Sequence, residues 1–332
     1  MELVKLTNSS GASVTLSPLG AGILAIEVPD KDGKIENVAL AYANPEDYLN
    51  DGPCLGKIPG RYANRIGKGK LNVDGKDYQL AVNCGPHHLH GGPTGFQNRV
   101  WDTEEFPGGV RFTYRSSDGE ENYPGNMKVT AEYRWSDDNV LTLDMRAESD
   151  APSVVNLTNH LYVNLDGADA GNALDHLLTL KASGYLLTDP DLCPTGEIAP
   201  VAGTPMDFTT EKKIGKDIKA DFPALNFGKG YDNCYPVDGW EAGEMIENVA
   251  VLRSEKSGRK MSIDSTQPAL QLYTGNWLAG SPANKSGKSY EDYDGVAIEM
   301  QGYPDAPNHP QFPSQRVDPT HPYHQIIRFK FS

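Results

Sequence analysis

The chain has 332 residues, 38% hydrophobic and 9% aromatic, which supports a sizeable core and excludes a disordered polymer. Its formal net charge of −15 repels phosphate backbones and anionic lipid, so the expected ligand is a neutral small molecule, with neither nucleic acid nor a membrane surface as partner. The 34 glycines and 24 prolines suit a fold of many short strands and turns rather than long helices.

In chain order, the first element expected is a short helix at 44–48, with Asn44 as cap and Pro45 in the first turn. Leu71-Asn72-Val73, Asp74-Gly75 and Tyr78-Gln79-Leu80 predict a hairpin reversing at Asp-Gly. A second hairpin is predicted where Val129, Ala131, Tyr133 and Trp135 alternate with polar residues, then Leu141, Leu143, Met145 and Ala147 do the same after a polar turn. Residues 156–165 read as a strand with Leu157, Leu161, Val163 and Leu165 on one face and His160, Tyr162 and Asn164 on the other.

The segment 209–221 suggests a surface helix weakened by Gly215. Further strands are expected at 270–273, at 296–301 and at 327–331. In the second of these, Val296, Ile298 and Met300 oppose Glu299 and Gln301. The Pro- and Gly-rich stretches 190–205 and 302–323 read as ordered loops. No linker or repeat interrupts residues 1–332, so a single all-β domain is expected.

The four cysteines, Cys54, Cys84, Cys193 and Cys234, show no short pairing, the pattern of reduced thiols in a cytoplasmic protein. No signal-peptide pattern opens the chain and no apolar run reaches membrane-spanning length. Asn156-Leu157-Thr158 matches a glycosylation pattern but falls inside a strand candidate. His87, His88 and His90 invite a metal reading. No carboxylate or cysteine at ligand spacing completes a set, and no metal is expected.

A histidine and a carboxylate on polar strand faces, His160 and Glu299, make a matched acid and base if the fold unites them. Around them stand the blocks Gly60–Ile66, Leu89–Gly92 with Trp101, Asn156–Leu165, Tyr231-Asp232-Asn233, Gln271–Asn276 and Glu299-Met300-Gln301. Residues 194–201, Thr204–Phe208 and Pro304–Asn308 join the same ordered set.

In that order the blocks resemble the aldose 1-epimerase, or galactose mutarotase, family over nearly the whole chain. The resemblance implies a large antiparallel β-sandwich of the mutarotase-like supersandwich type, with few short helices and a sugar cleft. It implies His160 as acid, Glu299 as base, and Asn64, Arg65, His90, Asp232 and Gln271 around a monosaccharide substrate. No cofactor is implied, and the assembly is monomer or homodimer. Leu161, Val163 and Met300 depart from common family residues on the apolar faces, where packing rather than chemistry is expected to change.

The implied reaction interconverts the α and β anomers of free aldohexoses such as galactose and glucose. The base removes the C1 hydroxyl proton while the acid protonates the ring oxygen; the open aldehyde rotates and recloses. Proximity of Glu299 is expected to raise the histidine's pKa. Trp277 and Tyr303 are candidates for stacking on a sugar, with core packing as the expected role of each. The alternatives are a hexose-6-phosphate 1-epimerase, which needs a basic cluster, a glycoside hydrolase, and a non-catalytic sugar-binding sandwich.

Overall fold

The computed structural model describes residues 2–49 and 51–332. Alternating apolar residues place one face of each long strand inward, and two antiparallel layers bury those faces against each other. The larger layer is a nine-stranded sheet. In spatial order it runs Lys212–Lys213, Leu177–Leu180, Ile246–Arg253, Lys260–Ser265, Tyr323–Phe331, Val140–Ser149, Met127–Trp135, Gly109–Ser116 and Asp102–Phe106.

Facing it is a four-stranded sheet ordered Tyr162–Val163, Val296–Gln301, Ala269–Tyr273 and Asp232–Pro236. The N-terminal strands Val4–Thr7, Ser13–Ser17, Gly22–Pro29 and Ile35–Asn37 form a further antiparallel sheet. Leu270, Leu272, Ile298 and Met300 of the four-stranded sheet join Leu143, Met145, Ile327 and Phe329 of the large sheet in one buried cluster. Leu161, Val163 and Met300, expected on apolar strand faces, all lie in that cluster.

Both predicted hairpins form. Trp135 pairs with Leu141 and Val129 with Ala147, in uninterrupted register. Val73 pairs with Lys76 across Asp74-Gly75, both at positive φ as a two-residue turn requires. The 44–48 element is the 3-10 turn Pro45–Tyr48.

Three expectations are corrected. The segment 209–221 is not a helix but the edge strand Lys212–Lys213 followed by the 3-10 turn Ile214–Lys216. Edge pairing with Leu177–Leu178 satisfies its backbone, and Gly215 packs against the Leu174 carbonyl. The one α-helix among the described residues is Pro223–Gly228, opened by Pro223 in its first turn. The loop expected at 190–205 contains the strand Pro194–Pro200, paired with Gly184–Thr188; its prolines stand at the strand ends, where no ladder donor is needed.

The segment 156–165 is a regular strand only at Tyr162–Val163. Before that pair, its backbone hydrogen bonds go to residues 61 and 63, to the Tyr323 hydroxyl and, at His160, to residues 56 and 57 instead of to a sheet ladder. The His160 N–H donates to the Lys57 carbonyl and the Gly56 N–H donates to the His160 carbonyl, each at 2.9 Å. Asn156 is buried, donating to the Ala63 carbonyl and accepting from the Gly302 N–H, which removes it from any glycosylation machinery.

Gly56 has φ +71, and a Cβ there would stand 2.0 Å from the Ile23 carbonyl oxygen. Gly56→Ala is therefore expected to cost at least about 1–3 kcal/mol of stability. Chemical denaturation would show the loss as a lowered midpoint, and an unchanged midpoint would refute the requirement.

Candidate active site

The face of the four-stranded sheet turned away from the core carries the polar residues. Tyr162 pairs with Ala297, Gln271 with Glu299, and Asp232 with Tyr273. Directly opposed residues share a face, so Asp232, Tyr273, Ala297 and Tyr162 form one row and Gln271 and Glu299 the next. Carrying the Tyr162–Ala297 register two residues back puts His160 opposite Glu299. Their side chains meet there, with His160 Nε2 3.5 Å from Glu299 Oε1.

Above this row lies a cavity of about 410 Å³. Its walls include Asn64, Arg65, His90, His160, Asp232 and Glu299, with Tyr162, Tyr273, Leu192 and Trp277 beside them. A larger depression of about 600 Å³ on the outer face of the nine-stranded sheet includes none of these residues; ion pairs such as Arg111–Glu132 and Arg146–Asp144 occupy it.

Hydrogen bonds fix several of the polar groups around the first cavity. The Asn64 N–H donates to His90 Nδ1 at 3.0 Å, so the neutral His90 ring carries its proton on Nε2. Burial, with His160 and Arg65 nearby, holds the His90 pKa well below the ordinary histidine value. His90 is thus an uncharged ring, and it packs edge-on to His160 with centroids 5.4 Å apart.

The Asn64 side-chain oxygen accepts the Arg65 N–H at 2.8 Å, fixing the start of the Arg65 strand. Gln271 donates to Asp232 Oδ1 at 2.7 Å. Gln271 is therefore one step behind the wall: it holds Asp232, and it is absent from the cavity lining itself.

Burial decides the protonation of the central pair. It pushes the Glu299 carboxyl well above its ordinary value; nearby Asp232 pushes the same way and Arg65 opposes. Burial also pulls the His160 imidazolium down, to about 4. The expected rise of the histidine pKa beside a carboxylate is thus reversed. Desolvation neutralises Glu299 first, and a neutral carboxyl offers His160 no charge to pair with. Burial thus favours a shared proton on Glu299 over one on His160. His160 Nδ1 and Glu299 Oε2 are buried and have no partner among the described residues, so both groups keep capacity for a ligand.

The aromatic residues were not assigned to the site from sequence. Tyr162 stacks on His160 with centroids 4.9 Å apart and planes at 24°, and its hydroxyl donates to the Pro53 carbonyl. Tyr273 meets both rings edge-on across small Ala297. Trp277, expected in the core, is 61% exposed at the cavity wall with Lys229 over its ring. Tyr303 does pack in a core, against Phe312. Tyr162 could have been found from its place on the His160 face; the others needed the sheet register.

The three neighbouring histidines divide. His88 is buried between the Ala81 carbonyl and the Tyr123 hydroxyl, while His90 reaches the cavity. His87 approaches Asp189 and Asp191, carboxylates remote in sequence. Its Nδ1 accepts the Lys68 N–H at 3.1 Å, which leaves Nε2 protonated in the neutral ring and without a lone pair for a metal.

Comparison with known proteins points in one direction. A family model described as Aldose 1-epimerase matches residues 2–330. A galactose mutarotase from Homo sapiens is 41% identical over 313 residues, covering 94% of this chain and 89% of the relative. An aldose 1-epimerase from Escherichia coli (strain K12) is 36% identical over 332 residues, covering 99% and 94%. Among solved structures, an aldose epimerase homologue from C. elegans superposes with a TM-score of 0.90 at 32% identity, covering 100% of this chain and 98% of the other. A galactose 1-epimerase from Lactobacillus acidophilus NCFM gives 0.85 at 29% identity, covering 99% and 94%.

Proposed function

The chain belongs to the aldose 1-epimerase family, a family of isomerases, and from that premise we propose that it interconverts the α and β anomers of free aldohexoses such as galactose and glucose, with His160 and Glu299 as the proton-transfer pair. The observation that carries the reading is the 3.5 Å approach of His160 Nε2 to Glu299 Oε1 on a cavity wall, each side chain with an unpartnered buried atom. Among the described residues Arg65 is the one Lys or Arg in the lining, and the acidic Asp232 and Glu299 share the wall with it, an arrangement poorly suited to a phosphorylated sugar.

The pair needs one proton and one vacancy. Glu299 as carboxylate takes the C1 hydroxyl proton, and protonated His160 delivers a proton to the ring oxygen. The C1–O5 bond breaks, and the aldehyde forms. Rotation about C1–C2 presents the other carbonyl face, and both protons return as the ring closes. Opening transfers the pair's proton from His160 to Glu299, so the form favoured by burial alone is the one reached after ring opening. A C1 hydroxyl donating to Glu299, together with the Arg65 charge, favours the carboxylate form when sugar is bound.

His90 offers an Nε2–H donor. Asp232, held by Gln271, accepts from sugar hydroxyls, and Arg65 supplies a forked donor. No cofactor is called upon: general acid–base catalysis of about 10²–10⁴-fold per group accelerates a reaction that already proceeds in water.

Polarimetry of freshly dissolved α-D-galactose and α-D-glucose tests the reading; no acceleration of either by folded protein would overturn it. The pH dependence of kcat/KM is a sharper check. Activity needs the singly protonated pair, so it falls as pH drops through the depressed His160 value of about 4, where a second proton binds. It falls again as pH rises past the raised Glu299 value and the last proton leaves. Independent ordinary groups would instead bracket the optimum between 4.5 and 6.5. A profile with those ordinary limits would refute desolvation as the controlling effect.

A further inference from the structure

The turn that follows the Glu299 strand has no part in the chemistry above, yet it grips the chain at the cavity wall. Asp305 is 4% exposed and sits at φ +56. Its N–H donates to the Arg65 carbonyl at 2.8 Å, and its Oδ1 accepts the Gly67 N–H at 2.7 Å. Asn308 donates to the same oxygen at 2.6 Å, while Oδ2 lies 3.7 Å from Cys193 Sγ and 3.3 Å from His309 Nε2. Tyr62 adds a second grip, its hydroxyl donating to the Tyr303 carbonyl and accepting the Ala306 N–H.

Arg65 itself is buried, and its Nε has no partner among the described residues. With no side-chain anchor on that nitrogen, the aim of the guanidinium depends on its backbone. Asn64 fixes that backbone on one side through the Arg65 N–H, and Asp305 fixes it on the other through the Arg65 carbonyl and the Gly67 N–H. Gly67 is fitted to this contact: a Cβ there would come within 2.9 Å of Asp305 Oδ2.

We propose that Asp305 is a positioning residue for sugar binding, a clamp that ties the Arg65 strand to the turn after Glu299 and so sets the Arg65 guanidinium against the bound sugar. The inference rests on the reading of Arg65 as a sugar-binding residue. Since the clamp acts on binding geometry rather than on the proton-transfer pair, its loss appears chiefly in KM and sugar affinity.

The test compares wild type with Asp305→Gly, Asp305→Asn and Gly67→Ala, using mutarotation of α-D-galactose by polarimetry and galactose binding by calorimetry. Glycine keeps the left-handed backbone and deletes the carboxylate. Asparagine tolerates the same φ and keeps an acceptor for the Gly67 N–H. Asp305→Gly is expected to raise KM and Kd about tenfold or more, the scale of a lost charge-assisted contact, with kcat changed far less. Asp305→Asn should recover most of that loss, and Gly67→Ala should shift KM in the same direction with Asp305 intact.

The clamp is overturned if Asp305→Gly leaves KM and Kd within twofold of wild type, whatever happens to its melting temperature. It is also overturned if asparagine fails as badly as glycine. Should Asp305→Gly not fold, Gly67→Ala alone decides by the same KM criterion. Wild-type protein that neither binds nor turns over galactose would overturn the functional reading itself, and the clamp with it.

Discussion

Glu299→Gln is expected to lower kcat for α-D-galactose by about 10²–10⁴-fold, the contribution of one general base, with the melting temperature and KM near those of wild type. Glutamine has nearly the shape of a protonated glutamic acid, and burial already holds the carboxyl well above its ordinary value. The exchange therefore removes the proton-accepting carboxylate without creating a buried charge or a void. Cross-strand partner Gln271 stays tied to Asp232, which preserves the cavity wall. Polarimetry and calorimetry together check this. A variant within tenfold of wild-type kcat would remove Glu299 from the chemistry.

His160→Ala is expected to give a loss of similar size, again about 10²–10⁴-fold in kcat. It removes the proposed acid and the ring stacked on Tyr162, so some destabilisation accompanies it. The informative comparison is the double variant. In the proposed cycle one proton is exchanged between the two side chains, so losing either breaks the same cycle, and His160→Ala in the Glu299→Gln background should cost little more than Glu299→Gln alone. Fully multiplicative losses would mean that the groups act independently. Galactose binding measured on His160→Ala separates this from a sugar-binding protein without turnover, for which substitution would leave no rate to lose.

The architecture was readable wherever burial on one face imposes a period of two. The 129–147 hairpin, the strand at 296–301 and the Asp74-Gly75 turn all follow from local pattern, because side-chain direction alternates along a strand whatever it pairs with. The reading failed where pairing partners outweigh local preference. Residues 212–213 became an edge strand because Leu177–Leu178 offered a ladder, and residues 194–200 did so because Gly184–Thr188 did. His160 lies outside the regular strand because residues 56 and 57 take its backbone hydrogen bonds.

By itself, then, the sequence determined an all-β chain with His160 and Glu299 on faces turned away from a core, among motifs that resemble one family. These are properties of local alternation and residue chemistry, and both survive without knowledge of the fold. Tertiary structure decided the rest. The register that opposes Tyr162 to Ala297 brings His160 to Glu299, and the same sheet sets Gln271 behind Asp232. Trp277, expected in the core, faces the cavity with most of its surface exposed, and Asp305 reaches the Arg65 backbone. The reversal of the expected histidine pKa belongs with these, since desolvation depends on which atoms surround a group in space, and sequence neighbours do not specify them.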